Sequence, residues 1–303
     1  MEKDPNQGER SSWTETEHLL SEPKTSLSMV ALRVGVKVFQ RRYRSKVKAL
    51  LKLAEGMPDR PSSEEVHDVR IIARRVQMMC GLLPKTLRGS ENLRMFGLAL
   101  KSMMKATSEL RDLDTLTVTL EPLRDGISEE LLVRLGNQRS DAAARSKLAI
   151  SSLLETPPPD LDGPELREKR LSRRLRRRVR RHGHRAMELL PRIIEDESKV
   201  AELHSFRKEV KKLRYLLELT DGSHQELPIM TRWQDSLGAI HDLDVAVAFL
   251  ERSSNELKGR KIGELRRRRH QSYLKFVSEC KADAMETLAG SKILRLIPAA
   301  SLR

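Results

Sequence analysis

"HDVRIIARRVQMMCGLL", residues 67–83, decides how this chain is read. Val69, Ile72, Val76, Met79, Cys80 and Leu83 recur at the three- and four-residue spacing that lines up one face of an α-helix. His67, Arg70, Arg74 and Arg75 fall on the other side, and no acid stands among them on that face. One side is patterned to pack. The other gathers positive charge, and like charges one turn apart destabilise a helix by roughly 0.2–0.5 kcal/mol per pair. Such a stripe predicts a partner that supplies the missing negative charge.

The pattern occurs twice. In "HSFRKEVKKLRYLLEL", residues 204–219, His204, Arg207, Lys208, Lys211, Lys212 and Tyr215 share one side. Phe206, Val210, Leu213, Leu216 and Leu217 lie opposite. Each of these stretches follows another basic helix. In the first, Arg33, Lys37, Arg41, Arg44 and Lys48 step along one line, while Leu32, Val36, Phe39, Tyr43, Val47 and Leu50 form the apolar face. Its counterpart, "REKRLSRRLRRRVRRHGHRAMELL" at 167–190, matches Lys37, Arg41 and Arg44 with Arg173, Arg177 and Arg180. Downstream, each half carries "DLD", at Asp112–Asp114 and at Asp242–Asp244. In so cationic a chain these acids are expected to pair with arginines and hold them in place. The same order of elements in both halves indicates tandem duplication of a helical unit.

Strand signals are scarce and period-3.6 patterns run nearly throughout, so the expected class is all-α. Glycine- and proline-rich breaks punctuate the helices: "GMPDRPSS" after Glu55, "RGSE" after Leu87, "EPLRDGIS" after Leu120, "TDGSHQELP" after Leu219 and "RSSNELKG" after Glu251. "TPPPDLDGPE", residues 156–165, is expected to link a first helical half, 29–155, to a second, 166–290. Residues 1–28 are expected to form a disordered polar tail ahead of a domain over 29–303.

Composition narrows the partner. The 303 residues include 58 Lys and Arg against 43 Asp and Glu, a formal charge of +15. That excess favours an anionic polymer or surface. Aromatic residues make up 3% of the chain, few for a protein that would stack single-stranded bases. Cys80 and Cys280 lack metal-ligand spacing and read as free thiols of a reducing compartment. The N-terminal stretch has no apolar core of signal-peptide type, and no run is long enough to span a bilayer. A cytoplasmic protein with no membrane partner and no metal or other cofactor is expected.

On "HDVRIIARR", "HSFRKEVKKLRYLLEL", "LRDLD" and "WQDSLGAIHDLDV", the sequence resembles the conserved histidine α-helical domain, or CHAD, family over roughly residues 30–284. The resemblance implies two pseudo-symmetric helical bundles with a basic groove or pore between them. It also implies non-catalytic binding of inorganic polyphosphate, often on polyphosphate granules. By position it points to His67, Arg70, Arg74 and Arg75, and to His204, Arg207, Lys208, Lys211, Lys212 and Arg214. The stripes around Lys37, Arg41 and Arg44 and around Arg173, Arg177 and Arg180 would complete the site. The sequence departs from symmetry where Arg111 of "LRDLD" is matched by His241 of "IHDLD". A nucleic acid is the alternative partner, since phosphate contacts alone do not distinguish the polymers. A metal-dependent phosphate-cleaving enzyme is a further alternative, with the "DLD" acids as its candidate ligands. "EDESK", Glu195–Lys199, matches the signature of a triphosphate-cleaving metalloenzyme, but no alternating strands surround it to build that active site.

Overall fold

A computed structural model of the chain describes residues 32–290 apart from 127, 163–165, 222–223, 225 and 253–257. The tail expected at 1–28 lies outside the described residues. Helices α1 (Val36–Glu55), α2 (Ser63–Leu82), α3 (Lys85–Arg88), α4 (Glu91–Leu120) and α5 (Glu129–Leu154) precede the central connection. Helices α6 (Glu168–Glu195), α7 (Val200–Leu217), α8 (Glu226–Arg252) and α9 (Lys258–Gly290) follow it. Among the described residues there is no strand. The protein is all-α.

Local chemistry sets the boundaries. Ser62 accepts from the Glu65 N–H while the Glu65 carboxylate accepts from the Ser62 N–H, a reciprocal cap that starts α2. Ser128 caps α5 in the simpler way, through the Leu131 N–H. Breaks read from glycine and proline coincide with helix ends, as where α1 stops at Glu55 before Gly56 and where α3 stops at Arg88 before Gly89. The connections after α6 and after α8 carry neither residue. Between α6 and α7 the Asp196 carboxylate accepts from the Ser198 N–H at 2.9 Å and forms the turn itself. "EDESK" is therefore a helix connection, and its Glu197 pairs with His270 of α9 at 2.8 Å.

Helices α1, α2, α4 and α5 close on one another, while α6, α7, α8 and α9 pack in sequence order. The Tyr273 hydroxyl of α9 donates to the Ile193 carbonyl at the end of α6 at 3.0 Å. The halves meet where α2 packs on α6 and α7 and where α4 packs on α8. One apolar core runs through both halves and includes the fully buried Phe39, Phe96, Phe206 and Phe276. A second cluster joins Leu116, Leu120 and Leu131 to Ala246, Leu250 and Leu265, with Leu113 and Leu243 of the two "DLD" motifs packed against it.

The last acid of each "DLD" fastens its half. The Arg139 Nε donates to Asp114 at 2.7 Å, and the same guanidinium donates to the Pro61 carbonyl at 2.5 Å. In the second half the Arg269 Nε donates to Asp244 at 3.0 Å and its guanidinium to the Glu197 carbonyl at 2.8 Å. Each arginine thus ties a helical hairpin to the segment entering a His-led helix. The central connection is docked as well. Leu161 is buried in the core, its carbonyl accepts from Gln40 at 2.6 Å, and Asp162 pairs with Arg44 of α1.

Candidate functional site

The amphipathic pattern of α2 and α7 turns their apolar residues inward: Val69, Val76, Phe206 and Val210 are buried. Their basic faces are left bordering a cavity of about 750 Å³, whose remaining walls are α4 and α8. Helix α2 contributes His67, Arg70 and Arg74; helix α7 contributes Arg207, Lys208, Lys211 and Lys212. Arg111 and Asp112 come from α4, and Asp235, His241 and Asp242 from α8. The lining thus holds seven arginines and lysines against three aspartates. A second cavity, of about 640 Å³ between α6 and α7, mixes Arg185 and Arg192 with Glu188 and Glu209 and has no such imbalance.

The cations of the larger cavity are not equivalent. Arg70 is buried and donates to the Met104 carbonyl at 2.8 Å, to Thr107 at 2.9 Å and to Ser108 at 3.2 Å, all on α4. Lys212 is neutralised by Glu209 at 2.8 Å, and Glu209 in turn holds His182 of α6 at 2.5 Å. By contrast, Arg74, Arg207, Lys208 and Lys211 make no ion pair or side-chain hydrogen bond among the described residues. The Arg207 Nε is buried with no hydrogen-bond partner. A buried donor left unsatisfied is costly, by roughly 1–3 kcal/mol and more for a charged group.

Protonation equilibria register this crowding. Burial, followed by the charges of Arg74, Arg207 and Arg70, pushes Lys211 down to about 7. Burial, then Arg74, pushes Arg70 down to about 10. Arg207 is lowered by burial against the pull of Asp242. His67 is lowered by burial and by Arg111, with Asp68 working the other way. Asp112 is raised by burial in spite of Arg70, with Asp242 adding to the rise. Arg70, Arg207 and Lys211 are therefore cations drawn out of water without enough counter-charge. A multivalent anion would supply it.

The structure brings together His67, Arg70, Arg74, Arg207, Lys208, Lys211 and Lys212 and leaves the other expected residues elsewhere. Lys37, Arg41 and Arg44 on α1, and Arg173, Arg177 and Arg180 on α6, are exposed away from the cavity lining. Arg75 donates to Glu218 across the halves at 3.1 Å, and Arg214 donates to the same carboxylate at 2.9 Å. His204 does not line the cavity. It contacts Asp244 at 3.2 Å and lies 4.6 Å, ring to ring, from His241. Arg111, whose guanidinium reaches Ser63, is a lining residue that the basic stripes alone do not disclose. Its one signal in the sequence is the mismatch with His241. Among the described residues no group of three or more His, Cys, Asp or Glu side chains is placed to hold a metal ion. Among them, too, no helix is long and apolar enough to cross a membrane.

Fold and cavity together define a class: all-helical proteins whose basic helix faces border one cavity. Residues 41–251 match the CHAD domain, and the chain belongs to that family. The crystal structure of the CHAD domain from the plant Ricinus communis is similar in fold, with a TM-score of 0.50 at 18% sequence identity. The match covers 90% of this chain and 92% of that one. No curated protein sequence matches the chain.

Proposed function

We propose that the protein binds inorganic polyphosphate in the cavity between α2 and α7, holding the polymer without cleaving it. The observation that carries this reading is the set Arg74, Arg207, Lys208 and Lys211, cations facing one cavity with no acid paired to them. Guanidinium forks match phosphate oxygens two at a time, and lysines add mobile point charges. Tyr215 is the one phenylalanine, tyrosine or tryptophan in the lining, which suits a polymer that has no bases to stack. Asp112 and Asp242 narrow the choice of seat by repelling phosphate from the α4 and α8 wall. Membership of the CHAD family agrees with a cytoplasmic binding protein that associates with polyphosphate granules.

The test is a titration with long-chain polyphosphate, with duplex DNA at equal charge concentration as competitor. Polyphosphate is expected to win, and its affinity to fall as salt rises, because binding releases condensed counterions. Equal competition by DNA would make the cavity a general polyanion surface. Phosphate release that depends on a divalent metal and on Asp112 or Asp242 would make it an enzyme.

A further inference from the structure

A second group of arginines lies one helical turn beyond the cavity. Gln77 and Met78 of α2 line the cavity, and Gly81 follows on the same face. A Cβ at Gly81 would stand 2.7 Å from one Arg178 guanidinium nitrogen and 3.0 Å from the other. Glycine inside a helix is destabilising relative to alanine. Here its bare backbone lets the α6 arginine lie flush across α2. Arg174 sits alongside and donates to the Leu82 carbonyl at 3.3 Å. Arg88 of α3 is near enough to depress both Arg174 and Arg178, with burial the larger cause in each case.

Capping of α2 accounts for Arg174, because a guanidinium favours the carbonyl end of a helix. It does not account for Arg88 or Arg178. Neither makes a hydrogen bond or ion pair among the described residues. Between Glu168 and Glu188, moreover, α6 carries no acid at all. Three guanidinium groups therefore converge at the end of α2 with one carbonyl as their only hydrogen-bond partner among the described residues. From Arg74 to Gly81 the helix rises about 10 Å, so this cluster continues the cationic wall of the cavity.

We propose that Arg88, Arg174 and Arg178 form a second phosphate seat, and that one long polyphosphate chain occupies both it and the cavity. The protein then distinguishes long chains from short ones by whether the chain spans the two. This rests on the cavity being a polyphosphate site, and the experiment separates the two ideas. The full chain is titrated with tripolyphosphate and with long-chain polyphosphate. Three variants are compared with the wild type: Arg174→Ala/Arg178→Ala, Gly81→Ala, and the cavity variant Arg74→Ala/Arg207→Ala.

Both seat variants are expected to keep the wild-type affinity for tripolyphosphate and to lose roughly tenfold for the long chain. The salt dependence for the long chain becomes shallower in slope by roughly 1.4 for the double variant and roughly 0.7 for Gly81→Ala, at about 0.7 counterions released per phosphate contact in single strands. Gly81→Ala displaces Arg178 while substituting the better helix former, so it guards against a loss that merely reflects misfolding. Wild-type affinity for the long chain in either folded seat variant overturns the second seat. Wild-type affinity for tripolyphosphate in the cavity variant overturns the cavity reading beneath it.

Discussion

Arg70 and Arg207 occupy the same place in the duplicated pattern, three residues after His67 and His204, and meet opposite fates. Arg70 faces Thr107 and Ser108 and spends its donors on α4. The aligned residues on α8 are Leu237 and Gly238, which offer no hydroxyl, and Arg207 is left unbonded beside Gly238. The first-half arginine is bonded into the fold, while the Nε of the second-half arginine is buried without a partner. The histidines diverge in the opposite direction. His204 is tied to Asp244, whereas His67 borders the cavity and makes no hydrogen bond among the described residues. The sequence pattern occurs twice, and the few residues behind each copy decide which arginine is bonded to the fold and which is left unpaired.

The largest expected effect separates the two arginines directly. Arg70→Ala removes three hydrogen bonds made by a buried cation, a loss of about 2 kcal/mol or more. At about 2–4 °C per kcal/mol for a chain of this size, its melting temperature should fall by several degrees. Arg207→Ala removes an unsatisfied buried charge, so ligand-free thermal unfolding should show no loss of stability, or a gain. A drop as large as that of Arg70→Ala would erase the distinction.

A smaller effect would come from making the halves alike. Gly238→Ser puts a hydroxyl near Arg207 where Ser108 serves Arg70. The ligand-free protein should be stabilised by about 1 kcal/mol, from helix propensity and the new hydrogen bond. Polyphosphate affinity should weaken severalfold, because Arg207 then has a competing partner. Calorimetric titration beside thermal unfolding would reveal whether the two quantities move in opposite directions.

The smallest effect is a slope with pH. Lys211, pushed down to about 7, is neutral above that pH in the ligand-free fold but charged in the unfolded chain up to its ordinary value. The unfolded chain then binds more protons, so stability rises with pH from about 7 towards the ordinary lysine range. Below pH 7 both states carry the charge, and the folded state bears the penalty in full. An anion needs the charged form. Polyphosphate affinity should therefore fall as pH rises through 7 to 9, with a proton taken up on binding. Lys211→Arg keeps its charge throughout and should flatten that dependence. An equally steep slope in this variant would remove Lys211 from the binding step.

Much of the fold is legible because helix ends coincide with glycine and proline, and because Val69, Val76, Phe206 and Val210 keep helical spacing. The turn at Asp196 escapes that reading, since it is made by a carboxylate within a charged run. The cavity is legible along α2 and α7, where the basic stripe and the core face are opposite sides of one helix. It is not legible along α1 and α6. Their stripes have the same periodicity, yet Arg44 meets Asp162 and Arg173 meets solvent, because periodicity fixes the face of a helix and not what that face looks upon. Arg75 shares the pattern of the cavity-facing cations, and the family resemblance adds Arg214 to them. Glu218, a single carboxylate at the end of α7, draws both away.

The most direct measurement is thermal unfolding with and without saturating long-chain polyphosphate, for the wild type and for Arg207→Met/Lys211→Met. A ligand bound at a hundred times its dissociation constant stabilises by about 2.7 kcal/mol, and the wild type should melt several degrees higher when it is present. The variant is predicted to be at least as stable as the wild type without ligand and to lose most of the ligand-induced rise. A variant that melts lower on its own, or that still gains the full rise, would contradict the claim that unpaired cations between α2 and α7 are the polyphosphate site.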